Sequence, residues 1–215
     1  MKLLGISGSL SDRSKTFLAV EKAIQFAEEQ FFETKQAIKE KLNTDKYDQT
    51  IETEIVNLKD YDLQFCDGRN PLDYEGDTKK LIKKIIEADA FIVGSPVYRG
   101  SMSGALKNVF DLIPNNCLEG KVIGFIATGG TYHHFLAIEH QLHPLAGYFS
   151  AHVVPGGVYA HNEHYDNQGL ISDEILERLR VLSYSVIDLH HRLYDSHTIA
   201  KKPYIPRKSL SATKS

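Results

Sequence analysis

The chain has 215 residues, 42% of them hydrophobic, and a formal net charge of −3. That length suits one domain, because single cores stop growing at roughly 250 residues, and the charge gives no general attraction to nucleic acid or to an anionic membrane. Two cysteines, Cys66 and Cys117, are too few for a disulfide framework or a four-thiolate metal site and read as reduced thiols of a cytoplasmic protein. No apolar run nears the ~20 residues of a membrane span, and the early polar loop does not read as a signal peptide.

The first element is a strand, Lys2–Ser7, which runs into "GSLSDRSKT" and then a helix over Lys15–Phe31. A strand that enters a loop of glycine, hydroxyls and cations at a helix start is a phosphate-binding pattern. Ser7, Ser9, Ser11, Ser14 and Thr16 supply hydroxyl donors there, and Arg13 and Lys15 supply charge. The nucleotide P-loop needs Gly-x4-Gly-Lys-Ser/Thr, but Ser14 precedes Lys15-Thr16 here. The dinucleotide fingerprint needs three glycines, and only Gly5 and Gly8 are present. Ser7, followed six residues later by Arg13, has the spacing of a low-molecular-weight phosphatase loop with serine in place of cysteine. A serine without a base is a weak nucleophile, so the loop grips a phosphate without cleaving it. A hydroxyl-lined loop without a P-loop lysine suits a single phosphomonoester, such as the 5′-phosphate of FMN.

Residues Glu33–Thr50 are polar and lysine-rich and read as a helix extension or an inserted surface loop. Strands follow at Glu52–Leu58, Ala90–Ser95, Lys121–Thr128 and His152–Tyr159, and helices at Asp77–Ala88, Ser103–Leu112, Thr131–Tyr148 and Ser172–Leu193. Five strands alternating with five helices predict βαβ units on a parallel sheet, in one domain spanning residues 1–197. After the third strand, Pro96 holds "PVYRG" extended, and Val97 and Tyr98 offer apolar contact to a flat ring. After the fourth, Gly129 and Gly130 allow close backbone approach. The chain ends in a basic tail, 198–215, with five cations and no acid, expected to be solvated or partner-bound. Ten histidines lack HExxH spacing and nearby cysteine ligands, so no metal site is expected.

The motifs "GISGSLSDRSKT", "DGR" at Asp67–Arg69, "GSPVYRGSMSGALKN" and "ATGGT" resemble those of the NADPH-dependent FMN reductases of flavodoxin-like fold. The segment "ATGGTYHHFLAIEHQLHPL" is most similar to reductases that supply reduced FMN to alkanesulfonate monooxygenases. The resemblance implies an α/β three-layer sandwich with a five-stranded parallel sheet. It implies FMN held through its phosphate by Ser7, Ser9, Arg13, Ser14 and Thr16. The ring edges would lie against Pro96, Val97, Tyr98, Arg99 and Gly100 on one side and Thr128, Gly129, Gly130 and Thr131 on the other. Hydride would pass from NADPH or NADH to FMN with no side-chain acid or base, since the cofactors carry the chemistry. Reduced flavin would leave for a monooxygenase, or reduce a quinone, azo dye or metal oxyanion. Lys107 and Asp111 would lie at a dimer interface. His140 would be an inserted residue forming a π-bulge at the interface of a homotetramer. The competing reading is a flavodoxin-like electron carrier without its own NAD(P)H activity, although the chain is less acidic than such carriers often are.

Overall fold

A computed structural model describes residues 1–42 and 50–196. Strands β1 (Lys2–Ser7), β2 (Glu52–Asn57), β3 (Ala90–Pro96) and β4 (Val122–Gly129) form the body of one sheet. The place of a fifth strand is shared by β5 (His152–Val153) and β6 (Val158–His161), both paired with β4. The order β2-β1-β3-β4-β5 and the parallel pairing throughout are the flavodoxin-like arrangement. The predicted single strand His152–Tyr159 is therefore corrected to two short ones. Pro155 lacks an N–H for the ladder, and Gly156 takes a positive φ of 79°, so pairing stops between them.

Strands buried on both faces require helices on both faces, and every residue of β3 is buried. Helices α1 (Lys15–Leu42) and α5 (Asp173–Ser196) cover one face, with Val20, Ile24, Leu179 and Leu182 in its core. On the other face lie α2 (Gly76–Glu87) and α3 (Gly104–Leu112), with Leu81, Ile85, Leu106 and Val109 against Phe91 and Phe125. Helix α1 runs past the predicted Phe31 to Leu42, so part of the lysine-rich insert is a helix extension. Residues 43–49 and the basic tail at 198–215 lie outside the described residues.

The predicted helix Thr131–Tyr148 is corrected at its start, while the π-bulge expected at His140 is present. The segment begins as a 3-10 turn at Tyr132–His134, passes through a π-helical turn at Ile138–Leu142 containing His140, and becomes regular only in α4 (His143–Tyr148). Pro144 near the start of α4 has no N–H to carry the α-helical ladder back into the preceding turn. A small hairpin, β7 (Tyr165–Asp166) with β8 (Gly169–Leu170), stands off the main sheet and was not predicted. No helix among the described residues is long and apolar enough to cross a membrane.

Candidate functional site

The register of the sheet brings three loops to one edge. Ser7 pairs beside Gly94, and Pro96 beside Thr128, so the loops after β1, β3 and β4 start at neighbouring positions. Hydrogen bonds then stitch them together. Gly8 N–H donates to Gly94 O at 2.8 Å, and the Ser103 hydroxyl donates to Gly8 O at 2.6 Å while accepting Leu106 N–H as the cap of α3. Val97 N–H donates to Thr128 O at 2.8 Å. The buried hydroxyls of Thr16 and Thr128 lie 2.6 Å apart, so a residue assigned to the phosphate and one assigned to a ring edge bond directly to each other.

A pocket of ≈ 220 Å³ lies between these loops. Ser9, Arg13, Ser14 and Thr16 line it from the first loop, Pro96, Val97 and Tyr98 from the second, and Thr128, Gly129 and Gly130 from the third. Ser14 caps α1 by accepting Phe17 N–H at 2.9 Å, and Ser9 accepts Ser11 N–H at 3.3 Å. Each hydroxyl thus keeps its own hydrogen for a further acceptor. Arg13 is exposed and forms no ion pair among the described residues. Tyr98 is 57% exposed, which removes it from the core and leaves its ring free on the rim.

The remaining predicted residues lie just outside the pocket. Ser7 is fully buried, and its hydroxyl has no hydrogen-bond partner. Arg99 and Gly100 form the tip of a tight turn in which Tyr98 and Ser101 exchange backbone hydrogen bonds of 2.9 and 3.1 Å. Both tip residues have positive φ, 55° and 80°, as a two-residue hairpin turn of this hand requires. The turn leans on the π-helical segment through the Ser101 hydroxyl, which donates to Gln141 Oε1 at 3.2 Å. Thr131 is held locally: its hydroxyl accepts His133 N–H, and its carbonyl accepts the Tyr159 hydroxyl at 2.6 Å. Burial pushes the Tyr159 phenol above its ordinary pKa, keeping it a donor.

Gly129 is required for a reason the sequence does not reveal. A β-carbon there would stand 2.2 Å from the Tyr159 hydroxyl, so the close approach is to the fifth-strand tyrosine. At Gly130 the nearest atom is the Asn162 amide nitrogen at 3.0 Å. Asn162 itself was missed. It lines the pocket, and its backbone carbonyl and Oδ1 accept Lys15 Nζ at 3.3 and 3.0 Å. The available signal was its place just after a strand, at the carboxyl edge where parallel sheets bind ligands. Its turn is fixed by His161, which stacks on Tyr132 at 4.2 Å and accepts Glu163 N–H.

Other singled-out residues stand apart from the pocket. Asp67 and Arg69 close their own turn: the Asp67 carboxylate accepts the Arg69 guanidinium and the Tyr74 hydroxyl, and Arg69 holds it well below the usual carboxylate range. Lys107 and Asp111 form an exposed pair one helical turn apart, at 2.6 Å. Among the described residues no group of three or more His, Cys, Asp or Glu side chains is placed to hold a metal ion.

Comparison with known proteins gives the family. The sequence profile of the family described as NADPH-dependent FMN reductase matches residues 1–166. An NAD(P)H-dependent FAD/FMN reductase of Geobacillus thermodenitrificans strain NG80-2 is 42% identical over 194 residues, covering 90% of this chain and 95% of the relative. The NADH-dependent FMN reductase SfnF of Pseudomonas putida is 44% identical over 102 residues, 47% of this chain and 55% of the relative. Among solved structures, an oxidoreductase of Corynebacterium diphtheriae aligns with a TM-score of 0.68 at 22% identity, over 89% of this chain and 97% of that one, a likeness of fold.

Proposed function

The chain belongs to the NADPH-dependent FMN reductase family and is an NAD(P)H-dependent oxidoreductase that acts with FMN; from that premise we propose that the loop Ser7–Thr16 holds the flavin phosphate and the loops Pro96–Gly100 and Thr128–Thr131 hold the edges of the ring. One observation carries this reading: the three loops meet at a single pocket with the hydroxyls of Ser9 and Ser14 and the Arg13 charge on it. The fit to a phosphate is good. The Ser7 hydroxyl beneath the loop has no partner, Ser9 and Ser14 retain hydrogens to donate, and α1 starts there with its backbone N–H groups. Neither cysteine falls in the loop, which supports binding without phosphate transfer.

When bound, FMN supplies the hydride-accepting chemistry. The chain's residues bind and orient. Ser9, Ser14 and Arg13 fix the phosphate, Val97 and Tyr98 give apolar contact, and the Gly129–Gly130 backbone contacts the opposite edge. Exposed Arg99, held out by its turn, offers a cation to the phosphates of the pyridine nucleotide. No side chain is needed as acid or base.

The finer reading is a cytoplasmic homotetramer that passes reduced FMN to a monooxygenase. It is supported by the resemblance of residues 127–145, by the π-helical turn around His140, and by the exposed Tyr132, Phe135 and Leu136, which line one cavity on that segment. Such a cluster of large exposed apolar side chains suits a subunit interface. The test is steady-state oxidation of NADPH and of NADH with and without added FMN, alongside the mass eluted from gel filtration. Turnover that depends on added FMN, from a tetramer, is expected. A folded protein that binds FMN and oxidises neither nucleotide would be an electron carrier instead.

A further inference from the structure

A second groove, of ≈ 890 Å³, opens beside the phosphate pocket and shares Ser11, Arg13, Ser14 and Lys15 with it. Asn57 and Lys59, at and just past the end of β2, and the β7–β8 hairpin complete its lining. None of the ring-loop residues Pro96–Gly100 or Thr128–Thr131 lines it. The groove therefore adjoins the phosphate end of the site and is separate from the ring end.

Its chemistry is that of a nucleotide site. Phe17 and Leu18, the latter 36% exposed, provide an apolar surface. Arg13, Lys15 and Lys59 provide three cations, of which Lys59 is held by an ion pair with Asp12 across the groove's edge. Two lining residues carry buried polar atoms without hydrogen-bond partners, Asn57 Oδ1 and the Tyr165 hydroxyl, beneath the groove's surface. The volume falls within the roughly 300–1,000 Å³ of small-molecule sites. The groove's place beside the phosphate loop bears on the occupant. A flavin anchored by its phosphate at Arg13 and Ser14 can place a further group attached to that phosphate only in the space adjoining it.

We propose that this groove binds the adenylate half of FAD, so that the chain takes FAD and FMN in one common orientation. The proposal rests on the phosphate-site reading above. The second phosphate of FAD adds charge beside Arg13, Lys15 and Lys59, and the adenine lies against Phe17 and Leu18. The adenylate of NAD(P)H is the rival occupant, but its nicotinamide must reach the flavin ring, whose loops do not border the groove.

Titration of FAD and of FMN by flavin fluorescence, on the wild type and on Leu18→Glu and Lys59→Glu, tests this. Leu18→Glu leaves the Lys59–Asp12 pair intact, so it guards against a loop merely loosened by Lys59→Glu. Each variant should weaken FAD binding by about ten-fold, the scale of one charge-assisted contact, and leave FMN within about two-fold. FAD affinity unchanged in both variants, or FAD and FMN weakened alike, overturns the proposal. So does a raised KM for NADPH with FAD unaffected, which would give the groove to the pyridine nucleotide. Ser9→Ala in the same titration separates the two levels. FMN affinity unmoved by Ser9→Ala overturns the phosphate reading and this proposal with it. FMN affinity that falls there, while FAD ignores Leu18 and Lys59, overturns this proposal alone.

Discussion

At Gly129 and at Cys117, one side chain's presence or absence sets a local property. The Tyr159 hydroxyl occupies the place a β-carbon at position 129 would take, and it donates to Thr131 O. Gly129→Ala should displace the phenol, leave that carbonyl without its donor, and lower stability by about 1–3 kcal/mol. Tyr159→Phe in the same chain removes the colliding oxygen and should recover part of that loss. Urea midpoints of the two single variants and the double variant check this, and strictly additive losses would mean the clash is not with the hydroxyl. Cys117 is buried, and burial pushes its thiol from an ordinary 9.0 up to about 11. The folded state holds the proton more tightly than the unfolded chain. Stability from this group is therefore complete below pH 9 and lost as pH rises through 11. Cys117→Ala should flatten the alkaline loss of stability between those values. A disulfide reagent at neutral pH should titrate exposed Cys66 quickly and Cys117 only after unfolding; two equally fast thiols would contradict the burial.

At the scale of elements, the segment after β4 departs most from regular structure. Its π-helical turn carries His140 and touches the ring loop through Gln141 and Ser101. Deleting His140 should let the turn relax to a regular α-helix and shift Gln141 away from Ser101. FMN should then stay bound through gel filtration, as a yellow protein with less transfer of reduced flavin to a partner. A colourless eluate with unchanged turnover of free FMN would separate the turn from flavin release. The regular elements were legible because apolar runs and 3.6-residue periodicity carry their own signal, as in "AFIVGS" and the capped α3. The interruptions were not. The same apolar spacing supports an α-helix or an α-helix with one extra residue, so hydrogen-bond registry at Ile138–Leu142 is invisible to periodicity; the π-helical turn at His140 was legible only through the family resemblance. The break between β5 and β6 did have a signal, the Pro155-Gly156 dipeptide, which the apolar residues on either side outweighed in the reading of one strand. Helix α1 continued beyond Phe31 because its next residues, though polar, are good helix formers.

Across the whole molecule, the parallel sheet aligns the carboxyl ends of β1, β3 and β4, and that alignment makes the site. The first-loop cluster was legible as a group because its hydroxyls and cations lie together between a strand and a helix, and the structure brings Ser9, Arg13, Ser14 and Thr16 to one pocket. Their division of labour was not, since it depends on residues distant in sequence. Thr16 meets Thr128, Lys15 meets Asn162, and Gly129 meets Tyr159, and none of these pairings follows from local spacing. The central claim is that the first loop grips the flavin by its phosphate. Its most direct measurement is the affinity of the apoprotein for FMN and for riboflavin, in the wild type and in Ser9→Ala. Losing one hydroxyl donor to a charged phosphate should cost FMN about 1–2 kcal/mol, while riboflavin, which has no phosphate, should bind both proteins almost equally. Equal losses for FMN and riboflavin would contradict the claim and place the phosphate elsewhere.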